Sequence, residues 1–595
     1  MTRRVPWLAV ALVLALPASA QAHAVLERTV PERGAGLERQ PGSVGFYFSE
    51  PVEASFGAVR VFDSQGDQVE SGEIFRPRAR SDAVAVRLDP DLADGTYTAT
   101  YRVISADSHP VSGGFVFTIG EPGTGASRTV SELLNEGDAG AVMSAAFWAD
   151  RWLGYAAIGV AVGVLVFLFA VWPAALGRVA GGGAAWIEAS AAFAGRARWL
   201  VVGAIGAGLL AGLAALPLQG ATASGTSFWG ALDSGVLGDV LETRFGTITA
   251  LRLAAWAVLA GLLAAALGRA WRPATLRPVR LGATGAVQAP GPGRVAAALL
   301  ALPLAVLVVS PSLSGHASTQ SPEALLLPAN ILHVGAMSVW FGGLAALVVA
   351  LPAATRRLDP AARTTLLWAT LARFSPFALA AVVVLAATGT AQAIVEVGSF
   401  GALIDTGFGR AVLIKVALLL ALIALGAANR QRLIPALRRL VGASERPGAP
   451  GRGARRNLRT EVALIAVVLG VTAALVSYAP ASETDAGPIS GRTTIGPAAL
   501  EYTVDPAEVG RNEVHLYLFD AEDGSQYRDV EELRVHLSLP DADIAPIETD
   551  VRTAGPGHYV APSAPFGVAG DWRMEVAMRV SRFEEGRADV QVPIE

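Results

Sequence analysis

The sequence predicts a multi-domain membrane protein: an exported Ig-like β-sandwich, an eight-helix transmembrane domain built as a 4+4 repeat, and a second exported β-sandwich. Three observations carry this expectation. The 595-residue chain is 52% apolar and only 16% charged, with mean hydropathy +0.45, more apolar surface than a soluble chain of this length needs. Apolar runs of spanning length are confined to residues 148–480. At both ends the pattern changes to alternating apolar and polar residues, the mark of half-buried strands.

The first segment, "MTRRVPWLAVALVLALPASAQA", has Arg3 and Arg4, an apolar stretch from Val5 to Leu16, and Ala20-Gln21-Ala22. This is the build of a signal peptide over 1–22, cut after Ala22, and its apolar stretch is too short for a comfortable span. Residues 23–120 then alternate in "VGFYFSEPV", "AVAVRLD", "TYTATYRVI" and "GGFVFTIG", which predicts a sandwich of about 100 residues. Residues 121–147 read as a Gly/Ser-rich linker.

Eight apolar segments follow, near 152–172, 199–218, 247–267, 294–312, 328–351, 374–396, 409–428 and 461–479. Loops 173–198, 268–294, 352–373 and 429–460 carry 3, 5, 4 and 9 Arg, and the alternate loops almost none. The positive-inside rule makes the basic loops cytoplasmic. A cleaved leader and an even span count put both termini outside, so the expected location is a bacterial plasma (inner) membrane, crossed many times. "ETRFGTITALR" (242–252) matches "DTGFGRAVLIK" (405–415), and "WPAALGR" matches "LPAATRR". This internal repeat predicts two halves of like orientation, related by an axis along the membrane normal. Residues 490–595 return to alternation and predict the second sandwich.

Composition excludes several functions. With no cysteine, disulfides, thiolate clusters and cysteine catalysis are ruled out. The formal charge of −4 and the absence of a Walker A motif argue against nucleic-acid and nucleotide partners. Metal chemistry must rest on the seven histidines, the five methionines and carboxylates.

Cleavage at Ala22 makes His23 the mature N-terminus. Its α-amine and ring Nδ1 can then chelate one ion, and nitrogen ligands in tetragonal geometry suit Cu(II). In "SADSHPVSGGF", Asp107 and His109 share one face of an extended segment. His23, Asp107 and His109 together supply an N,N,N,O set. The alternative is a frayed terminal residue and an unrelated turn histidine. Glu50, in "FSEPVE", is either a supporting carboxylate or a solvated edge residue.

Two more histidines fall in the membrane region. His316 lies in the loop after span four, and His333 lies one turn into span five with Met337 four residues on. An ionisable group inside a span marks function by default, and imidazole with thioether suits Cu(I); Met337 could equally be helix packing. Arg252, Lys415 and Asp150 read as helix anchors near the outer boundary. His515, His536 and His558 read as structural strand residues, with Met574 and Met578 on the core face.

"HAVLERTVPERGAGLERQPGSVGFYFSEPVE" with "DGTYTATYRVISADSHPVSGGFVFTIG" resembles the periplasmic copper-binding family CopC. That resemblance implies Cu(II) binding by His23, Asp107 and His109. Some members add a methionine-rich Cu(I) site, which should be absent because residues 23–120 contain no methionine. "GHA", "H-x6-W-x-G-G" (His333, Trp340, Gly342, Gly343) and "IKVALLLALIALGAANR" resemble the CopD membrane family over roughly 150–480. "GHYVAPSAPFGVAGDWRMEVAMRV" is similar to YtkA/FixH-like domains. The whole chain resembles a CopC–CopD fusion of the YcnJ type. This implies copper passage past His316, His333 and Met337 as Cu(I) or Cu(II), not catalysis, with the bilayer and another periplasmic copper carrier or reductant as partners. Sequestration outside the membrane, or a copper or haem redox enzyme, are the rivals.

Overall fold

The computed structural model describes residues 24, 26–54, 58–106, 110–120, 140–179, 184–269, 294–442, 446–476, 489–505, 507, 509–521 and 525–594. The signal peptide, most of the linker, and His23, Asp107 and His109 lie outside the described residues. The chain divides into two compact units, one helical, and one that holds both β-rich ends.

The N-terminal β region has nine strands: β1 Leu26–Val30, β2 Gly36–Leu37, β3 Ser43–Phe48, β4 Val52–Glu53, β5 Val59–Phe62, β6 Glu70–Phe75, β7 Ala83–Leu88, β8 Gly95–Ser105 and β9 Pro110–Ile119. One sheet runs β1-β3-β7-β6; the other runs β2-β9-β8-β4, with β5 also on β8. Alternation sends Phe46, Phe48, Tyr101, Phe115 and Phe117 inward. Phe46 and Phe115 meet edge-on, with centroids 5.4 Å apart. Such a pair adds about 0.5–1.5 kcal/mol beyond the area buried.

The C-terminal β region has β10 Ile489–Ile495, β11 Ala498–Asp505, β12 Gly510–Asp520, β13 Glu532–Leu539, β14 Ile544–Thr549, β15 Arg552–Gly555, β16 His558–Phe566, β17 Gly570–Ser581 and β18 Glu584–Ile594. Sheets β10-β11-β12-β16-β15 and β14-β13-β17-β18 enclose one core that includes Trp572, Met574 and Met578. The first of these sheets turns its other face to the N-terminal sandwich. There the Thr96 hydroxyl donates to the Ala554 carbonyl, and Val116 packs with Ala554 and Val560.

The helical unit contains seven helices long and apolar enough to cross a membrane. They are α1 Val142–Val179, α2 Ala184–Ser224, α3 Arg244–Ala265, α5 Glu323–Thr355, α6 Pro360–Val397, α7 Gly407–Leu440 and α8 Gly448–Leu475. The fourth expected span is a shorter apolar helix among the described residues, α4 Ala297–Leu313. The first helix begins at Gly140, inside the expected linker, because the Ala-rich "AVMSAAFWAD" favours a helix.

The repeat is physical. The offset that places Trp172 on Leu351 also places the π turn Phe167–Val171 on the π turn Ala346–Ala350. The T-x-F-G match has two local causes. Thr243 and Thr406 cap α3 and α7, their hydroxyls accepting from Gly246 N (3.0 Å) and Gly409 N (2.9 Å). Gly246 and Gly409 let a short preceding helix pack on the first turn. A Cβ would stand 2.7 Å from Leu241 Cα in one half and 2.5 Å from Leu403 Cα in the other. Asp359 caps α6 by accepting from Ala362 N, and Gly398, at φ +73°, ends it.

Candidate metal sites

In the N-terminal sandwich, the described neighbours of the expected ligands meet at one edge. The β1–β3 register pairs Leu26 with Phe48, two residues before Glu50. Glu50 Oε1 accepts from Ala106 N at 3.3 Å. Ile104 of β8 pairs with Pro110 of β9 in an antiparallel ladder. Glu50 therefore touches Ala106, the last described residue before Asp107.

In the membrane unit, α5 starts at Glu323, so His333 lies about 15 Å, nearly three turns, into the helix rather than one. The difference arises because the helix begins directly after Pro322, with Pro328 inside it. His333 Nδ1 is 2.9 Å from Thr388 Oγ1 on α6. That hydroxyl lies 2.7 Å from the Val384 carbonyl, an acceptor that takes its proton. Thr388 thus accepts from His333 Nδ1–H, and this tautomer leaves the Nε2 lone pair for a metal. Gly389 makes room for the ring: a Cβ there would stand 3.4 Å from His333 Cε1.

Met337 packs elsewhere, its sulfur 3.2 Å from where a Gly159 Cβ would be on α1. His316 opens a short turn, His316–Ser318, and nothing further of it is described. Arg252 ties α3 to α4 through Ser310 (3.0 Å) and Ser314 (3.5 Å). Among the described residues no three His, Asp or Glu side chains converge on one ion.

Two histidines behave differently from isolated strand residues. His515 and His558, 3% and 1% exposed, meet with Nδ1 and Nε2 3.2 Å apart. His515 Nε2 faces Glu513 Oε1 at 3.5 Å. Glu513 is 1% exposed, and neither carboxyl oxygen has a hydrogen-bond partner. Burial pushes Glu513 up to about 8, His515 down to about 3, and His558 well below its ordinary value. Nearby, Arg33 Nη1 stands 3.7 Å from Asp505 Oδ2 across the two β regions. Strand alternation does not reveal this cluster, because it lies on the face that sequence alone assigns to solvent.

Sequence reading also missed Thr388 and its neighbours Gln392 and Glu396. The available signal was polar residues at four-residue intervals inside an apolar span.

Family models locate two modules within this architecture: the CopC domain over residues 26–120 and Copper resistance protein D over residues 368–475. Matches to both family models thus fall in one chain, which also has several apolar helices and a β-rich C-terminal region. It is similar to the Copper transport protein CutJ of Bacillus subtilis (strain 168), with 28% identity over 527 residues, 87% of this chain and 86% of that protein. Protein YobA of Escherichia coli (strain K12) is 28% identical over 101 residues, 17% of this chain and 82% of that protein. Among solved structures, CopC from Methylosinus trichosporium OB3b matches at 26% identity and TM-score 0.15, covering 16% of this chain and 93% of that one.

Proposed function

We propose that the protein captures Cu(II) on its exported N-terminal sandwich and passes copper inward through the helical unit past His333. The observation that carries this reading is the intramembrane imidazole of His333. It is set by Thr388 so that Nε2 keeps its lone pair, an expensive arrangement that a helix anchor does not need. The two copper-family modules in one chain support it, as does the 28% identical relative named a copper transport protein.

The capture set is His23 with its α-amine, Asp107 and His109. Glu50 supports it by accepting from Ala106 N, next in the chain to Asp107. His316 is the stop after capture, while Met337 packs toward Gly159 of α1. The basic loops lie on the cytoplasmic side and both β regions on the exported side. Fusing the capture domain to the membrane domain raises the effective copper concentration at the entry.

Cellular copper accumulation tests the reading, in a strain expressing wild type or His333→Ala at matched membrane levels. A loss of accumulation in the variant is expected. Equal accumulation would remove His333 from the path and leave sequestration on the exported side as the function.

A further inference from the structure

The outer face of the sheet β10-β11-β12-β16-β15 carries polar groups that strand formation does not require. Glu513, His515 and Tyr517 alternate along β12 and so share one face. The β12–β16 register pairs His515 with Val560 and Tyr517 with His558, which brings both histidines and the carboxyl group onto that face. Val560 there packs against Val116 of β9, so the N-terminal sandwich covers the face. Arg33 closes the adjoining edge by donating to the Asp505 carbonyl at 3.3 Å, and Asp505 is the β11 partner of Glu513.

The geometry inside is that of two ligands with a supporting carboxylate. His515 Nδ1 and His558 Nε2 face each other at 3.2 Å, and Tyr517 stacks on His558 with ring centroids 4.1 Å apart. On the far side of its ring, His515 presents Nε2 to Glu513 Oε1 at 3.5 Å. A hydrogen bond between two neutral imidazoles satisfies the facing nitrogens, but it leaves Glu513 buried with neither oxygen partnered among the described residues. A carboxyl group so placed costs free energy that an apolar residue would not, so folding alone does not account for it. A metal ion between the rings does. It needs His515 to carry its proton on Nε2, and Glu513 is placed to accept the hydrogen bond from that N–H.

We propose that His515 Nδ1 and His558 Nε2 are the two ligands of a further metal site in the β-rich unit, for a soft monovalent ion, Cu(I), with Glu513 as the supporting carboxylate. The inference takes copper as the ion from the proposed function and does not need the path past His333. Two features set the charge of the ion. Among the described residues only two donors converge here, and Cu(I) binds two ligands in line, whereas Zn(II) takes four. Away from water, the desolvation cost grows with the square of the ion's charge, while the attraction of one carboxylate grows only in proportion to it, which favours the monovalent ion. A metal–imidazole bond is about 2.0 Å, so the rings part slightly from 3.2 Å to admit the ion in line. The reading of His515 and His558 as structural strand residues gives way to one in which they bind.

The test counts tightly bound Ag(I), a redox-inert stand-in for Cu(I), on the purified full-length protein in detergent, by competition with a chromogenic chelator. His515→Gln and His558→Gln should each lose one bound ion, and the double variant the same single ion. Wild-type stoichiometry in the double variant would show a structural hydrogen bond and overturn the inference. Glu513→Gln keeps the volume of the side chain and removes its charge, and it should bind the ion about tenfold more weakly. Should the histidine variants not fold, this variant decides, and unchanged Ag(I) affinity in it would overturn the inference. Excess Zn(II) should leave the Ag(I) in place; displacement would overturn the monovalent assignment. His333→Ala should retain this ion, so that the site and the path past His333 fail separately.

Discussion

Gly163 of α1 and Gly342 of α5 lie backbone to backbone where the two halves of the repeat meet. A Cβ on Gly163 would stand 2.7 Å from Gly342 Cα, and one on Gly342 would stand 2.6 Å from Gly163 Cα. The same offset relates the π turns that begin at Phe167 and Ala346, so the two glycines are equivalent positions in contact. In lipid, close approach of small residues replaces the hydrophobic drive that joins helices in water. Gly163→Val or Gly342→Val should therefore destabilise the helical unit by roughly 1–3 kcal/mol, the usual cost of overpacking. Gly206→Val, with open space around its Cβ, should be near neutral. Thermal melting of the detergent-solubilised protein reads the difference, and equal melting of all three would refute the contact.

On the proposed path Thr388 orients His333 through Nδ1 and is not itself a ligand. Thr388→Val removes the acceptor for Nδ1–H and frees the tautomer, which should lower copper accumulation about tenfold, the low end of the effect of losing a supporting hydrogen bond. Thr388→Ser keeps the hydroxyl and should recover most of the transport. A serine variant as poor as the valine variant would point to packing instead.

Glu513 and its two histidines give the exported unit a pH profile with a maximum. The folded carboxyl sits at about 8, above its ordinary value, so its contribution is full below about 4.5 and is lost as pH rises through 8. Folded His515 sits at about 3 and His558 is also lowered; their contribution is full above about 6.5 and is lost as pH falls toward 3. Glu513→Gln should remove the alkaline decline and gain on the order of 1–3 kcal/mol at pH 8. Pulse proteolysis of the full-length protein from pH 4 to 9 measures it. An unchanged alkaline slope would show that Glu513 is not held in its neutral form.

The proposed capture site requires a free N-terminus. One extra residue before His23 in the mature protein should abolish tight Cu(II) binding, because the amine and ring can no longer close one chelate. Glu50→Ala should weaken binding about tenfold while leaving the sandwich folded, by loosening Ala106. Equilibrium Cu(II) competition titration distinguishes the two, and unchanged affinity in the extended protein would eliminate the N-terminal chelate.

Much of this fold was legible in the chain because the relevant signals are local. Alternation places Phe46, Phe115, Met574 and Met578 on core faces, and T-x-F-G marks the capped starts of α3 and α7. His333 stood out as an ionisable residue in an apolar run. Its place along α5 did not, because the helix starts at Glu323, before the apolar window that defines a span.

By itself, then, the sequence determined the class of each region, the repeat, and which few side chains could carry copper, since each follows from hydropathy, period or residue chemistry. Only the tertiary structure decided what surrounds particular side chains. It turned the outer face of β12 into a buried surface that encloses Glu513, His515 and His558, and set the tautomer of His333 through Thr388 on another helix. Each of these joins residues far apart in the chain, and a local pattern records which face a residue occupies but not what will cover it.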